Sequence, residues 1–145
     1  MAEVAPLGPM FQAGTLAGNP LSVAAGLATL DVLSGSDAYP RLESLGLRLA
    51  GGVLAAARAA GAQVSLTRFG SMFTLFFRPT PPRNYAEAQD HDAEAFRRFF
   101  WAMLDEGVYL APSPYEAWIV TLGHTDEDIE MAIEAAGRAF AAVRG

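Results

Sequence analysis

The sequence predicts an α+β fold: an antiparallel sheet of three to four strands with helices packed on one face. The first observation is periodicity. Apolar residues recur at helical spacing over 37–60, 92–106 and 125–140, and the period changes across 63–77, where β-branched and aromatic residues flank Gly70-Ser71. The second is order, helix–helix–strand–strand–helix–strand–strand–helix, with a hairpin at its centre.

Residues 1–13 hold two prolines and no period, and read as an extended lead-in. Gly14-Thr15-Leu16-Ala17-Gly18-Asn19-Pro20 then joins a glycine-bearing turn to a helix start, with Asn19 as N-cap and Pro20 at the first helical position. The helix, 20–33, is apolar nearly all round (Leu21, Val23, Leu27, Leu30, Val32), as in helices buried or sandwiched between layers. A second helix spans 37–60 with the stripe Leu42, Leu45, Leu49, Val53, and Gly61 ends it. Strands follow at 63–69 and 72–77, then a rigid Pro-rich loop at 79–84. The next helix, 92–106, carries Phe96, Phe99, Phe100 and Met103 and stops at Gly107. Short strands at 108–110 and 117–121 flank the loop 111–116. Thr125-Asp126-Glu127-Asp128 fits a capping box for the last helix.

Composition narrows the function. The net charge of −6 disfavours nucleic acid, which calls for a basic face, and disfavours anionic membranes. No apolar run approaches the ~20 residues of a membrane span. No signal peptide is visible and there is no cysteine, so no disulfide or thiol chemistry arises and the cytoplasm is the default location. All ten basic residues are arginine, so no lysine here can form a Schiff base. The 52% hydrophobic content is high for an isolated soluble chain and implies apolar surface covered by a partner or by further chain.

The loop at 14–20 has two readings from its residues alone. It is a turn with a helix cap, or it is a loop in which the Thr15 hydroxyl and a neighbouring N–H reach a phosphate while Gly14 and Gly18 permit close approach. Glu116 is the only carboxylate from Gly107 to Thr125, in a stretch without arginine. It is either a surface carboxylate or a ligand for an ammonium group, through charge-assisted hydrogen bonds. Met72 and Phe73 read as sheet core, and Arg97 and Arg98 as a solvated edge. His124, just before a helix start, reads as a structural histidine. Asp90, His91 and Asp92 are consecutive and poorly arranged to converge on one metal ion, so no metal site is assigned.

Five strings, in order and at matching spacing, resemble one family. They are Phe11-Gln12-Ala13-Gly14-Thr15-Leu16-Ala17-Gly18-Asn19-Pro20, Gly70-Ser71-Met72-Phe73, Phe96-Arg97-Arg98-Phe99-Phe100, Met103 through Ser113, and Tyr115-Glu116-Ala117. Together they resemble the C-terminal part of glutamate-1-semialdehyde 2,1-aminomutase, a family of class-III, pyridoxal-phosphate-dependent aminotransferases with the aspartate-aminotransferase fold. The resemblance covers nearly all of this chain and about the last third of such an enzyme.

The resemblance implies that residues 1–35 are the end of the large domain, with an interdomain helix and a phosphate-contacting loop. Residues 36–145 would be the C-terminal small domain. The lysine that binds the cofactor would lie upstream, so this segment alone would be inactive. The family is a homodimer in which the threonine matching Thr15, with Gly14 beside it, reaches the cofactor phosphate of the neighbouring subunit. The glutamate matching Glu116 lines the active site. Tyr115 stands where relatives carry another aromatic, and Ser113 borders the same loop. The implied reaction turns glutamate-1-semialdehyde into 5-aminolevulinate, a small-molecule step of tetrapyrrole synthesis. Rival readings are another class-III aminotransferase or a non-catalytic α+β dimerisation module.

Overall fold

The computed structural model describes residues 2–35 and 37–143. It divides into two compact units, Met1–Ser36 and Asp37–Gly145. The architecture is α+β, with five helices and one three-stranded antiparallel sheet of order β1-β2-β3 among the described residues.

In the first unit, the lead-in is not extended. It folds back on itself, with Ala5 N–H donating to Met10 O at 2.8 Å, Met10 N–H to Glu3 O at 2.9 Å, and a parallel bridge between Val4 and Met10. Helix α1 spans Pro20–Leu33. Asn19 Oδ1 accepts from Leu21 N–H at 3.1 Å and Ser22 N–H at 3.2 Å, so the cap forms as the sequence predicts. The expectation that this helix is buried does not hold. None of its residues is buried, and Leu21 is 80% exposed. An apolar periphery states a preference for cover, and the helix's own unit supplies none.

The second unit holds the core. Helix α2 is Ala38–Ala59, strand β1 is Ser65–Phe69, strand β2 is Met72–Phe76 and helix α3 is Tyr85–Gln89. Helix α4 is Ala93–Asp105, strand β3 is Trp118–Ile119 and helix α5 is Asp126–Val143. Helix α5 packs on both α2 and α4. The largest fully buried side chains come from every layer: Leu45 and Val53 of α2, Phe73 and Leu75 of β2, Phe99 and Met103 of α4, Ile129 and Phe140 of α5. Phe99 and Phe140 stack with ring centroids 4.4 Å apart, and Phe73 meets Trp118 edge-on at 5.1 Å. Burying a side chain of this size stabilises by about 1.5–3 kcal/mol, and that is what holds the layers together.

Local signals set the element ends. After α2, Ala62 N–H donates to Ala57 O and Gly61 N–H to Arg58 O; after α4, Val108 N–H donates to Met103 O and Gly107 N–H to Leu104 O. Both ends are Schellman motifs. At the start of α5, Thr125 Oγ1 accepts from Asp128 N–H at 3.1 Å, and Asp128 Oδ2 accepts from Thr125 N–H at 2.8 Å. This is the reciprocal cap the sequence announces. The hairpin closes between Phe69 and Met72. Gly70 has φ +59° and Ser71 does not have positive φ, the pattern of a type II′ turn. Arg68 braces that turn, donating to Gly70 O at 2.6 Å and to Glu43 of α2 at 2.6 Å.

Three strand-level expectations are corrected. Residues 108–110 form no strand, and the strand expected at 117–121 contracts to Trp118–Ile119. Residues 108–110 leave α4 through its capping turn instead of pairing. Phe73 is core as predicted, but Met72 is not. It pairs with Phe69 and Ile119 on the open face of the sheet and is 43% exposed. Alternation along a strand sends neighbours to opposite faces, so only one of the two residues can point inward. Among the described residues, no helix is long and apolar enough to cross a membrane.

Candidate functional site

Gly14 and Thr15 lie together in the first unit, in an exposed loop. Two successive turns shape it: Ala17 N–H donates to Gly14 O at 2.9 Å and Asn19 N–H to Leu16 O at 3.0 Å. Gly18 has φ +76°, which lets the second turn run into the capped start of α1. These bonds engage the carbonyls of Gly14 and Leu16. Among the described residues the Thr15 hydroxyl and N–H have no hydrogen-bond partner. A loop that is internally closed but leaves the Thr15 hydroxyl and N–H to solvent is suited to donating to an anion.

Glu116 lies in the second unit, in the loop between α4 and β3. Its backbone is held at both ends: its N–H donates to Ser113 O at 3.2 Å, and its carbonyl accepts from Thr74 Oγ1 of β2 at 3.4 Å. Its side chain is exposed, and among the described residues its carboxylate has no hydrogen-bond or ion-pair partner. Most other carboxylates of the second unit behave differently. Asp126 accepts from Arg41 at 2.6 Å and also from Arg48, and Arg48 reaches on to Glu130. These hydrogen bonds, from Arg41 first, hold the Asp126 carboxyl below its ordinary pKa. The Thr125 N–H does the same for Asp128, and Arg68 for Glu43. Such carboxylates fix helix positions; Glu116 is left available.

Glu116 lines neither of two hollows in the second unit. One, of about 560 Å3, opens beside its loop and is bordered by Tyr109, Ala117, Ile119, His124 and Met131. His124 is structural there, since its Nδ1 accepts from Thr121 N–H at 3.0 Å. The other, of about 470 Å3, is bordered by Arg78, Asp90, His91 and Asp92. Asp92 caps α4 by accepting from Ala95 N–H at 2.8 Å, and His91 Nδ1 lies 2.7 Å from Ala88 O, so these residues serve the chain itself.

Helix α3 is the element that sequence reading misses. Its start was legible: Asn84 Oδ1 accepts from Glu87 N–H at 2.9 Å, and Glu87 reaches back to Arg83 N–H at 3.0 Å, an Asn-x-x-Glu variant of the capping box. Its consequence is a small aromatic cluster. Tyr85 and His91 both face Tyr115, the residue before Glu116, at centroid distances of 6.0 Å and 5.3 Å.

No protein-family model matches the chain. Among solved structures, it is similar to an omega-transaminase from Sphaerobacter thermophilus, with 26% identity, TM-score 0.82, and coverage of 97% of this chain and 33% of that one. A β-phenylalanine aminotransferase from Variovorax paradoxus is 28% identical, with TM-score 0.75 over 90% of this chain and 30% of that one. A glutamate-1-semialdehyde aminomutase from Pseudomonas aeruginosa PAO1, in complex with PMP, is 26% identical, with TM-score 0.78 over 94% and 31%. A transaminase with PLP bound shares the fold at 22% identity. The chain thus spans about a third of the length of these structures. Its fold is that of a partial domain of the PLP-dependent transferases, and its structural neighbours are transaminases and an aminomutase.

Proposed function

We propose that this chain is the C-terminal part of a pyridoxal-phosphate-dependent aminomutase that converts glutamate-1-semialdehyde to 5-aminolevulinate. Residues 1–35 would end the large domain and 36–145 form the small one. The cofactor, when bound, supplies the electron sink for amino-group transfer. This chain fits it in one respect: Thr15 offers a hydroxyl and an N–H beside Gly14, unengaged and exposed, as donors to a phosphate already held by other chain. The chain has no lysine, so covalent attachment falls to residues outside it. In a homodimer, Thr15 would serve the neighbouring subunit's cofactor, and Glu116 would hold an amino-bearing end of the substrate.

The observation that carries the aminomutase reading is the unpaired Glu116 carboxylate in a stretch, 107–125, with no arginine. A substrate bearing an amino group at either of two positions is served by a carboxylate, which accepts from ammonium in both arrangements. A second reading, another aminotransferase of this class, is favoured by the similarity to the omega-transaminase. The absence of arginine in that stretch weighs against it, because an α-carboxylate calls for a cation.

The test begins with the intact mass of the protein from its native cells, expected at about three times that of this chain from the one-third coverage. That protein should convert glutamate-1-semialdehyde, and Glu116→Gln should lower the conversion about tenfold or more, as for one lost charge-assisted contact. Conversion unchanged by Glu116→Gln would overturn the assignment of that residue. A mass equal to this chain's, with no lysine-bearing subunit accompanying it, would overturn the enzyme reading and leave the dimerisation module.

A further inference from the structure

The loop 111–117 makes few strong backbone bonds. Pro112 and Pro114 have no N–H to give. Tyr115 N–H donates to Ser113 Oγ at 3.3 Å, Glu116 N–H to Ser113 O at 3.2 Å, and Thr74 Oγ1 to Glu116 O at 3.4 Å. All three are longer than the usual ~2.9 Å, so each is a weak hold and together they leave the position of the loop only partly fixed.

The rings do more. Tyr115, 47% exposed, meets His91 edge-on at 5.3 Å and Tyr85 at 6.0 Å with an interplanar angle of 52°. Both separations lie in the favourable range for aromatic pairs. Each contacting residue is anchored, His91 through its ring and Tyr85 through its helix. A carbonyl oxygen only accepts, so the 2.7 Å contact from His91 Nδ1 to Ala88 O puts the proton on Nδ1 and fixes the imidazole. Next to it, Asp92 N–H donates to Phe77 O at 3.0 Å, just beyond the end of β2. Tyr85 opens α3 directly after its Asn84 cap, and the Arg78 guanidinium ties that helix down by donating to Glu87 O.

We infer that Tyr85 and His91 form an aromatic clamp on Tyr115 and thereby position the loop that presents Glu116. They are positioning residues, acting through Tyr115 and not on a substrate. The meaning of the clamp for substrate binding rests on the function proposed above, but its existence does not. The segment from α3 to the start of α4 then has a purpose beyond connecting β2 to α4: Tyr85 opens it and His91 ends it, and both rings meet Tyr115.

The clamp is tested by millisecond amide hydrogen exchange, read by mass spectrometry on the full 145-residue chain. Tyr85→Ala and His91→Ala should each speed exchange of the Ser113, Tyr115 and Glu116 amides, by about 3- to 10-fold given what an aromatic pair contributes. Peptides from α2 and α5 should keep their rates, and Tyr85→Phe, which retains the ring, should behave as the parent. Unchanged loop rates in the alanine variants would overturn the clamp. Equal acceleration in α2 and α5 would also overturn it, because the effect would then be general loosening. The readout involves neither cofactor nor substrate. It can therefore fail while Glu116→Gln still abolishes conversion, and it can succeed while that variant does nothing.

Discussion

Gly46 of α2 sits so close to the hairpin turn that a β-carbon built on it would stand 2.8 Å from the Gly70 carbonyl oxygen and 3.0 Å from Ser71 Cα. Helix and hairpin are in backbone contact there, and both near atoms belong to main chain that cannot rotate away. Gly51, five residues along the same helix, has nothing within 4 Å. Gly46→Ala should therefore destabilise the chain by about 1–3 kcal/mol, the usual cost of overpacking. Gly51→Ala should stabilise it by about 0.4–1 kcal/mol through the unfolded state. Urea denaturation of the two variants decides the matter, and effects of the same sign would show that the close approach does not matter.

The reciprocal cap at the start of α5 predicts that Thr125→Ala costs about 1 kcal/mol while Thr125→Ser costs little. Thermal melts would show it. Equal losses for both would mean the Thr125 methyl, not its hydroxyl, matters.

Acid should weaken the second unit. Asp126 is held low by hydrogen bonds from Arg41 and Arg48, Glu43 by Arg68, Glu94 by Arg97 and Asp128 by the Thr125 N–H. A carboxyl whose folded pKa lies below its unfolded value adds stability that is present above the ordinary carboxylate range, about 4, and lost as pH falls through the lower, folded value. Melting temperature should thus be level with respect to these groups from pH 6 to 8 and fall below about pH 4. Asp126→Asn should reduce that fall, and a parent-like acid slope in this variant would remove Asp126 from the account.

Thr15→Ala and Glu116→Gln should leave stability within about 0.5 kcal/mol of the parent, because both side chains are exposed and unpaired. A loss well beyond that in calorimetry would make either residue part of the scaffold. Any effect on amino transfer would then reflect folding.

The strongest local signals of the sequence were realised closely. Helix 20–33 begins where the Asn19-Pro20 cap places it, and the hairpin turns at Gly70-Ser71. Local chemistry decides these features, so local reading finds them. The errors share a different cause. Whether an apolar helix is covered, whether 108–110 pairs, and which of Met72 and Phe73 points inward all depend on partners distant in sequence. The site divides the same way. That Thr15 and Glu116 have free polar groups follows from turns and prolines near them in the chain. The rings that hold Tyr115 come from 30 and 24 positions upstream, Tyr85 on a five-residue helix too short to leave a period and His91 in the turn that follows it.

Thr74 joins Glu116 to the middle strand, and the turn at Gly70-Ser71 fixes which residue of that strand faces the loop. The hairpin therefore acts as a ruler for the carboxylate. Sliding β2 by two residues would preserve its inward face yet carry the Thr74 hydroxyl about 6.8 Å along the sheet. Sliding it by one would turn the hydroxyl to the other face. Insertions in the turn, far along the chain from Glu116, would thus reset how far that side chain projects, and turn length becomes a means of tuning reach without altering a single residue at the site.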